Sequence, residues 1–494
     1  MQIKELLYIS AQPDEQYFIW QLKLLIRNLQ SLLVSKENIH ILVSYKKDHG
    51  LNEAFADFIK EDQDKCLFFI YEDTRKVFRY LSTIRPHILK KHYKRYPLLN
   101  KKTIFYHDSD ILFSRLPNIK DLRKTDVCYV SNTRNYIGLK YLRSFNSEEL
   151  LLKMTSALNI TIDILELNDE NAGGAQYILN NIDSDFWKKV ERDSENLFNI
   201  MEEFNESVFL ISKGSKREIQ SWCADMWALL WNLWLENKKV LIHEELEFSW
   251  PNSPIADWKK KSILHYSGKQ KDGNLIFCKL KYKNFPPWND LSLGAISKEF
   301  CGYAVVEKIN SYRKEIENTK ISIPNTLLIY NLENLEINDK NVREQLTLTN
   351  MYLSSIIEVK SVIWNKGNIQ EMSSEKFEFP SKHHFTKMMI VPFNFILNRN
   401  DLLKVFKLNN AIICPKKIVK FDLILAKYLK KTLDIGFITE NMGKCSIEIC
   451  VGDNTKIICY PLLKSEIRGD LIKKIESKSE NFKKVFIDYC YVKY

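Results

Sequence analysis

Over about its first hundred residues the chain alternates short runs of β-branched and aromatic residues with longer stretches of helical spacing. Glu5 to Ala11, Ile39 to Tyr45, Cys66 to Tyr71 and Thr103 to His107 read as buried strands. Between them, Glu15 to Leu33 places Phe18, Leu22, Leu25, Leu29 and Leu32 on one helical face, and Leu51 to Lys60 and Val77 to Tyr96 carry similar patterns. Strand-helix-strand repetition of this kind predicts a parallel α/β sheet with right-handed crossovers. Ligands in such sheets bind beyond the carboxyl ends of the strands, so Ala11-Gln12-Pro13, Glu72-Asp73 and Asp108-Ser109-Asp110 are expected to be neighbours.

A chain of 494 residues has room for two or three domains. After Asp110 the pattern predicts a strand at Val127 to Ser131, a helix at Ser147 to Leu158, a glycine-containing segment at Asn171 to Ala175 and helices from Ser184 and from Trp222. A strand at Ser262 to His265 follows, and a boundary falls between Tyr303 and Ile323. The expected organisation is a domain over residues 1–305 and a smaller α/β or α+β domain over 325–494. In the latter, Thr326 to Leu332, Met388 to Phe393, Ala411 to Cys414 and Cys445 to Val451 read as strands and Asn341 to Ile357 as a helix, with no chemical motif among them.

Hydrophobic residues at 45% and charged ones at 27% exclude a disordered or fibrous chain. The formal charge is +11, and from Asn325 onward 26 basic and 19 acidic residues contribute +7 of it. That skew suits an anionic partner or a solvated basic face and does not call for nucleic acid. None of the ten cysteines forms a C-x-x-C pair and several lie in apolar runs, which predicts small buried thiols in a reducing compartment. The first residues lack a signal-peptide core, and no apolar run reaches the length of a spanning helix. A soluble cytoplasmic protein is expected, with peripheral membrane contact left open.

The chemistry concentrates in Ile104-Phe105-Tyr106-His107-Asp108-Ser109-Asp110-Ile111-Leu112-Phe113. Two carboxylates at i, i+2 after a buried strand are costly unless a cation neutralises them. Mg²⁺ or Mn²⁺ suits the position, since such ions take few protein carboxylates and complete their shell with water and phosphate oxygens; a strand-end turn with capping aspartates is the plainer alternative. The second cluster, His265-Tyr266-Ser267-Gly268-Lys269-Gln270-Lys271, offers an imidazole at a strand end, a glycine that permits close backbone approach and lysines that can meet phosphate. Asp225 falls near the apolar face of its helix, where it pairs internally, caps the helix or projects into a cleft.

Asp108-Ser109-Asp110 resembles the metal-binding Asp-x-Asp of GT-A glycosyltransferases, a Rossmann-like mixed-sheet fold. His265-x-x-Gly268-x-x-Lys271 is similar to the closing motif of glycosyltransferase family eight, which includes glycogenin and bacterial lipopolysaccharide galactosyltransferases. Asn171-Ala172-Gly173 resembles that family's segment beside the donor sugar, and plant hydroxyproline arabinosyltransferases have a similar general layout. The resemblance covers about residues 1 to 290 and stops short of the last third.

It implies transfer of a sugar from a nucleotide diphosphate, a UDP-sugar foremost, to a hydroxyl on a glycan, protein or peptide, with retention. Asp108, Asp110 and His265 would hold Mn²⁺ (or Mg²⁺), Lys271 would contact phosphate, and Ser109 and Gly268 would lie beside the donor. Asn171, Gly173 and Gly174 would wall the sugar, although the two glycines equally fit a turn, and Asp225 would serve donor or acceptor. From their positions beside the strand ends, Ala11 and Gln12 would line the base, Asp73 would meet ribose and Arg85 would reach base or phosphate, with a plain surface residue the equal alternative for each. Asp272-Gly273 stand where the family has Pro-Trp. Two rivals remain: a haloacid-dehalogenase-type phosphohydrolase, which would want Thr or Val in place of Ile111, and a non-catalytic basic interaction protein.

Overall fold

The computed structural model describes residues 6–317 apart from 77, 119–125, 213–216, 269–274 and 284–285. Beyond 317 it describes Leu346 and the strands given below. The chain divides into two compact units, Met1–Lys283 with Leu293–Lys308, and Asn284–Ser292 with Ile309–Tyr494.

The first unit runs β1 (Leu7–Pro13), α1 (Gln16–Ser31), β2 (Ile39–Lys46), α2 (Glu53–Asp62), β3 (Leu67–Asp73), α3 (Ile84–Arg95), β4 (Ile104–Tyr106), β5 (Ile111–Phe113) and β6 (Val127–Asn132). Four helices follow, α4 (Arg134–Ile137), α5 (Leu139–Arg143), α6 (Glu148–Leu158) and α7 (Ile162–Asn168), then β7 (Gly173–Leu179), α8 (Ser184–Ser212) and α9 (Ala224–Leu235). The unit continues through β8 (Lys239–Ile242), β9 (Phe248–Ser249), α10 (Ile255–Lys260) and β10 (Ile263–His265), and α11 (Gly302–Glu317) comes next. Seven strands form one sheet in the order β3-β2-β1-β4-β7-β6-β8. The first four are mutually parallel, but β7 runs antiparallel to both β4 and β6, so the sheet is mixed. The fold class is α/β with a mixed sheet.

Strand alternation sorts the core into two layers. Leu7, Ile9 and Ala11 of β1 join a cluster with Ile88 and Leu89 of α3, Trp187 of α8 and Trp227 of α9, whereas Tyr8 joins Leu22, Leu25 and Leu29 of α1 and Phe55 of α2. A strand covered on both faces has no polar side to show, which is why β1 is buried along almost its whole length. Helix α9, with Trp227, Leu230, Trp231 and Leu233 buried, is apolar except at Asp225 and Asn232 for the same reason.

Two predicted elements differ. The helix expected from Val77 begins at Ile84 after a tight turn at Leu81–Thr83, which places Pro86 in the first helical turn where its missing N–H costs nothing. Trp222 belongs to a turn ahead of α9, not to the helix, and is 61% exposed. Among the described cysteines none is bonded to another; Cys66, Cys128, Cys223 and Cys301 are buried. No helix among the described residues is long and apolar enough to cross a membrane.

Under the sheet, His92 of α3 lies 2.7 Å from the Tyr71 hydroxyl and 3.2 Å from the His40 ring. Burial pushes His40 down to about 4 and His92 down to about 3, the latter helped by His40 and Arg95. Both rings are therefore neutral in the folded chain where an unfolded histidine near 6.5 takes up a proton. Their contribution is full above pH 6.5 and is lost as pH falls toward 4, by up to roughly 3 kcal/mol per ring. Thermal melts between pH 7.5 and 4.5 are expected to show this acid slope, and His92→Gln is expected to remove part of it.

In the second unit the described backbone forms an eight-stranded sheet in the order Asn368–Glu371, Ile357–Asn365, Ile321–Asn331, Lys387–Pro392, Ile447–Val451, Thr455–Cys459, Ala411–Pro415 and Lys483–Ile487. Phe395–Ile396 and Cys490–Tyr491 form a separate pair. The helix expected at 341–357 lies largely outside the described residues.

Candidate active site

At the carboxyl ends of β1 and β4 a cleft of about 410 Å³ opens in the first unit. Asp108-Ser109-Asp110 forms its floor, in the link between β4 and β5. Strand β10 pairs antiparallel with β5, setting His265 opposite Ile111, and the Tyr266 N–H donates to the Asp110 carbonyl at 3.0 Å. His265 Nε2 thereby lies 3.7 Å from Asp108 Oδ2 and 3.4 Å from Asp110 Oδ1. One donor atom from each of the three residues falls within 4.8 Å of the others. The Trp250 ring stacks on the imidazole at 5.6 Å and fixes its plane.

The remaining carboxylate oxygens are held by Arg85 and Lys279. Arg85, in the first turn of α3, donates from Nη1 to Asp108 Oδ1 and from Nη2 to Asp225 Oδ2. Lys279 donates to Asp110 Oδ2 and lies 6.0 Å from the centre of the Tyr17 ring. Burial alone would raise the Asp110 carboxyl, yet Lys279 and His265 hold it far below the ordinary carboxylate range. Asp225 goes the other way: burial raises it, and Arg85 and the Tyr80 hydroxyl only partly offset that. The Tyr80 oxygen is 2.8 Å from Asp225 Oδ1 and 2.6 Å from the Trp222 carbonyl, so one phenol ties both ends of the turn leading into α9.

Of the other residues singled out in the sequence, Ala11, Gln12, Arg85 and Ser109 line the cleft. The Gln12 amide is bonded to the Leu42 carbonyl at 2.6 Å, and the Ser109 hydroxyl donates to Gln21 Oε1 at 3.0 Å. Asp73 does not line it: its carboxylate accepts from Arg75 Nε at 3.0 Å and Nη2 at 2.9 Å. The same Arg75 donates to Thr83 Oγ1 at 2.6 Å, so this pair pins the turn from which α3 presents Arg85. Asn171 Oδ1 accepts from the Ile242 N–H at 3.1 Å, tying β8 to the segment before β7.

Gly173 and Gly174 open β7, where the sequence suggested a turn or a sugar wall. A β-carbon on Gly173 would fall 2.3 Å from the Ser131 carbonyl oxygen, so close pairing with β6 accounts for that glycine. Ala175, next in line, does face the cleft, at a φ of 69°. Gly268 is exposed with a φ of 88°, outside the cleft lining, and Lys271 lies outside the described residues.

Tyr80, Lys279 and Trp222 were not legible as site residues. Lys279 follows a loop whose course the sequence does not disclose, and Tyr80 carried the signature of a helix interior.

No protein-family model and no curated protein matches the chain. Among solved structures it is similar to the apo WbbM bifunctional glycosyltransferase, at 11% identity over 62% of this chain and 52% of that one, with a TM-score of 0.32. An active-site mutant of LgtC matches at 13% identity over 62% and 96% of the two chains, with a TM-score of 0.31. Mouse xyloside xylosyltransferase 1 in its apo form matches at 10% over 53% and 97%, with a TM-score of 0.27. The chain spans about half the length of the WbbM chain it matches.

Proposed function

We propose that the chain is a metal-dependent glycosyltransferase that moves a sugar from a nucleotide diphosphate, a UDP-sugar foremost, to a hydroxyl of a glycan, protein or peptide. The observation that carries this reading is the convergence of Asp108, Asp110 and His265 in the lining of the cleft. Two carboxylate oxygens and one imidazole nitrogen form a donor set that fits Mn²⁺ or Mg²⁺, with the remaining positions left to water and phosphate oxygens. Bound there, the ion would supply neutralisation of the negative charge that develops on the departing diphosphate.

The chain's own residues divide the rest of the task. Arg85 orients Asp108 and Asp225 together; Asp225 stands at the wall available to the donor sugar or the acceptor. Ala11 and Gln12, at the end of β1, offer a surface for the base. Residues 1–305 are the catalytic domain in this reading and 325–494 a domain for acceptor or partner, with transfer by retention.

The test is release of UDP or GDP from a panel of nucleotide sugars by the purified chain, with Mn²⁺ or with chelator. Metal-dependent release from one donor, lost in Asp108→Asn, is the expected result. Absence of release and of donor binding would overturn the reading, and covalent phosphorylation of Asp108 would replace it with the phosphohydrolase.

A further inference from the structure

Each acidic residue of the triad turns one oxygen toward the imidazole and gives the other to a cation, but the two cations are not equivalent. Arg85 is held at both ends, by Asp108 and by Asp225, and Asp225 is in turn held by Tyr80. Lys279 has Asp110 as its one carboxylate partner among the described residues, lines the cleft and sits over the Tyr17 ring. Its ammonium is a point charge on a flexible stem, able to rotate its donors to a new acceptor, whereas a guanidinium fork bound at two ends cannot.

The charges of the cleft say when that rotation occurs. Four carboxylates, Glu15, Asp108, Asp110 and Asp225, line the cleft against two permanent cations, Arg85 and Lys279. A divalent ion entering alone meets two cations already holding its carboxylates. A diphosphate entering alone meets a net negative cleft. Together they nearly cancel, and at partly buried separations these differences are large.

Resting on the glycosyltransferase reading, we propose that Lys279 is a displaceable counter-ion. It holds Asp110 in the free protein and passes to the diphosphate when the ion arrives, so that ion and nucleotide bind as a pair. The coupling is reciprocal: each ligand raises the affinity of the other by the same factor.

The test uses the full-length chain and calorimetric titration with Mn²⁺ alone, UDP alone, and UDP at saturating Mn²⁺. For the unaltered chain UDP is expected to raise Mn²⁺ affinity, roughly ten- to a hundredfold. Lys279→Met is expected to shift the two affinities in opposite directions: Mn²⁺ alone binds more tightly, UDP with Mn²⁺ binds more weakly, and the coupling collapses. Lys279→Arg is expected to retain the coupling. A merely structural lysine would weaken both. Lys279→Gln, which keeps a donor for Asp110 without the charge, serves if the methionine variant does not fold.

Unchanged UDP affinity, or weaker Mn²⁺ binding in both neutral variants, overturns the inference while leaving the parent reading intact. Failure of the unaltered chain to bind either UDP or GDP with Mn²⁺ overturns the parent reading itself, and the inference with it.

Discussion

Arg85→Leu is expected to lower the unfolding free energy by about 4 kcal/mol, the largest effect of any single replacement around the cleft. Asp225 is buried and Asp108 is three-quarters covered, and both lose their shared counter-ion at once. Burial already raises the Asp225 carboxyl, and Arg85 is the strongest influence opposing it. A carboxyl whose folded value lies above its unfolded one costs stability at high pH and recovers it by taking up a proton as pH falls. Urea titrations are therefore expected to show a larger loss at pH 8 than at pH 5.5. Adding Asp225→Asn to Arg85→Leu is expected to restore part of the loss, since the two sites share one interaction. Equal losses at both pH values would mean that Arg85 acts through packing alone.

On the proposed reading, Asp110→Ala is expected to reduce metal-dependent nucleotide release by about 10³-fold, because it would remove a ligand and free Lys279 to occupy the ion's place. Its signature differs from that of Arg85→Leu. Binding of Mn²⁺, followed by the loss of its free-ion resonance, is expected to vanish in Asp110→Ala even where the chain remains folded. Asp110→Asn keeps the volume and a hydrogen-bond acceptor for Lys279, so it is expected to separate the stability loss from the chemical one. Retention of Mn²⁺ binding in both would remove Asp110 from the ligand set.

What could be read in the sequence was whatever depends on local pattern and burial. Leu7 to Ala11 announced a strand covered on both faces because nothing polar interrupts it but Ser10. Asp108 and Asp110 stood out because two carboxylates after such a strand require a compensating charge, and His265 because it ends another buried run. The reversal of β7 left no local mark, so the parallel first half of the sheet was legible in the residue pattern, whereas its mixed character was expected only through the resemblance to GT-A enzymes.

The same limit governs partners. Asp73 ends its strand as expected, yet the nearby Arg75 takes both its oxygens; Asn171 is claimed by the Ile242 N–H, and Gly173 by its close pairing with Ser131. Lys279 is the converse case. Cys278-Lys279-Leu280-Lys281 resembles any exposed turn, and only the return of the chain after β10 delivers its ammonium to Asp110.

The pairing of β5 with β10 also imposes an order in time. The acidic pair leaves the ribosome early, while its imidazole and ammonium partners are encoded more than 150 residues later. At ordinary rates of synthesis that gap lasts on the order of ten to thirty seconds, during which Asp110 has neither neighbour. Closure of so long a loop is among the slow steps of folding. A chain cut short before Lys279 keeps Arg85 for Asp108 but lacks the ammonium that neutralises Asp110, so in an unfinished copy that one carboxylate stands without its cation.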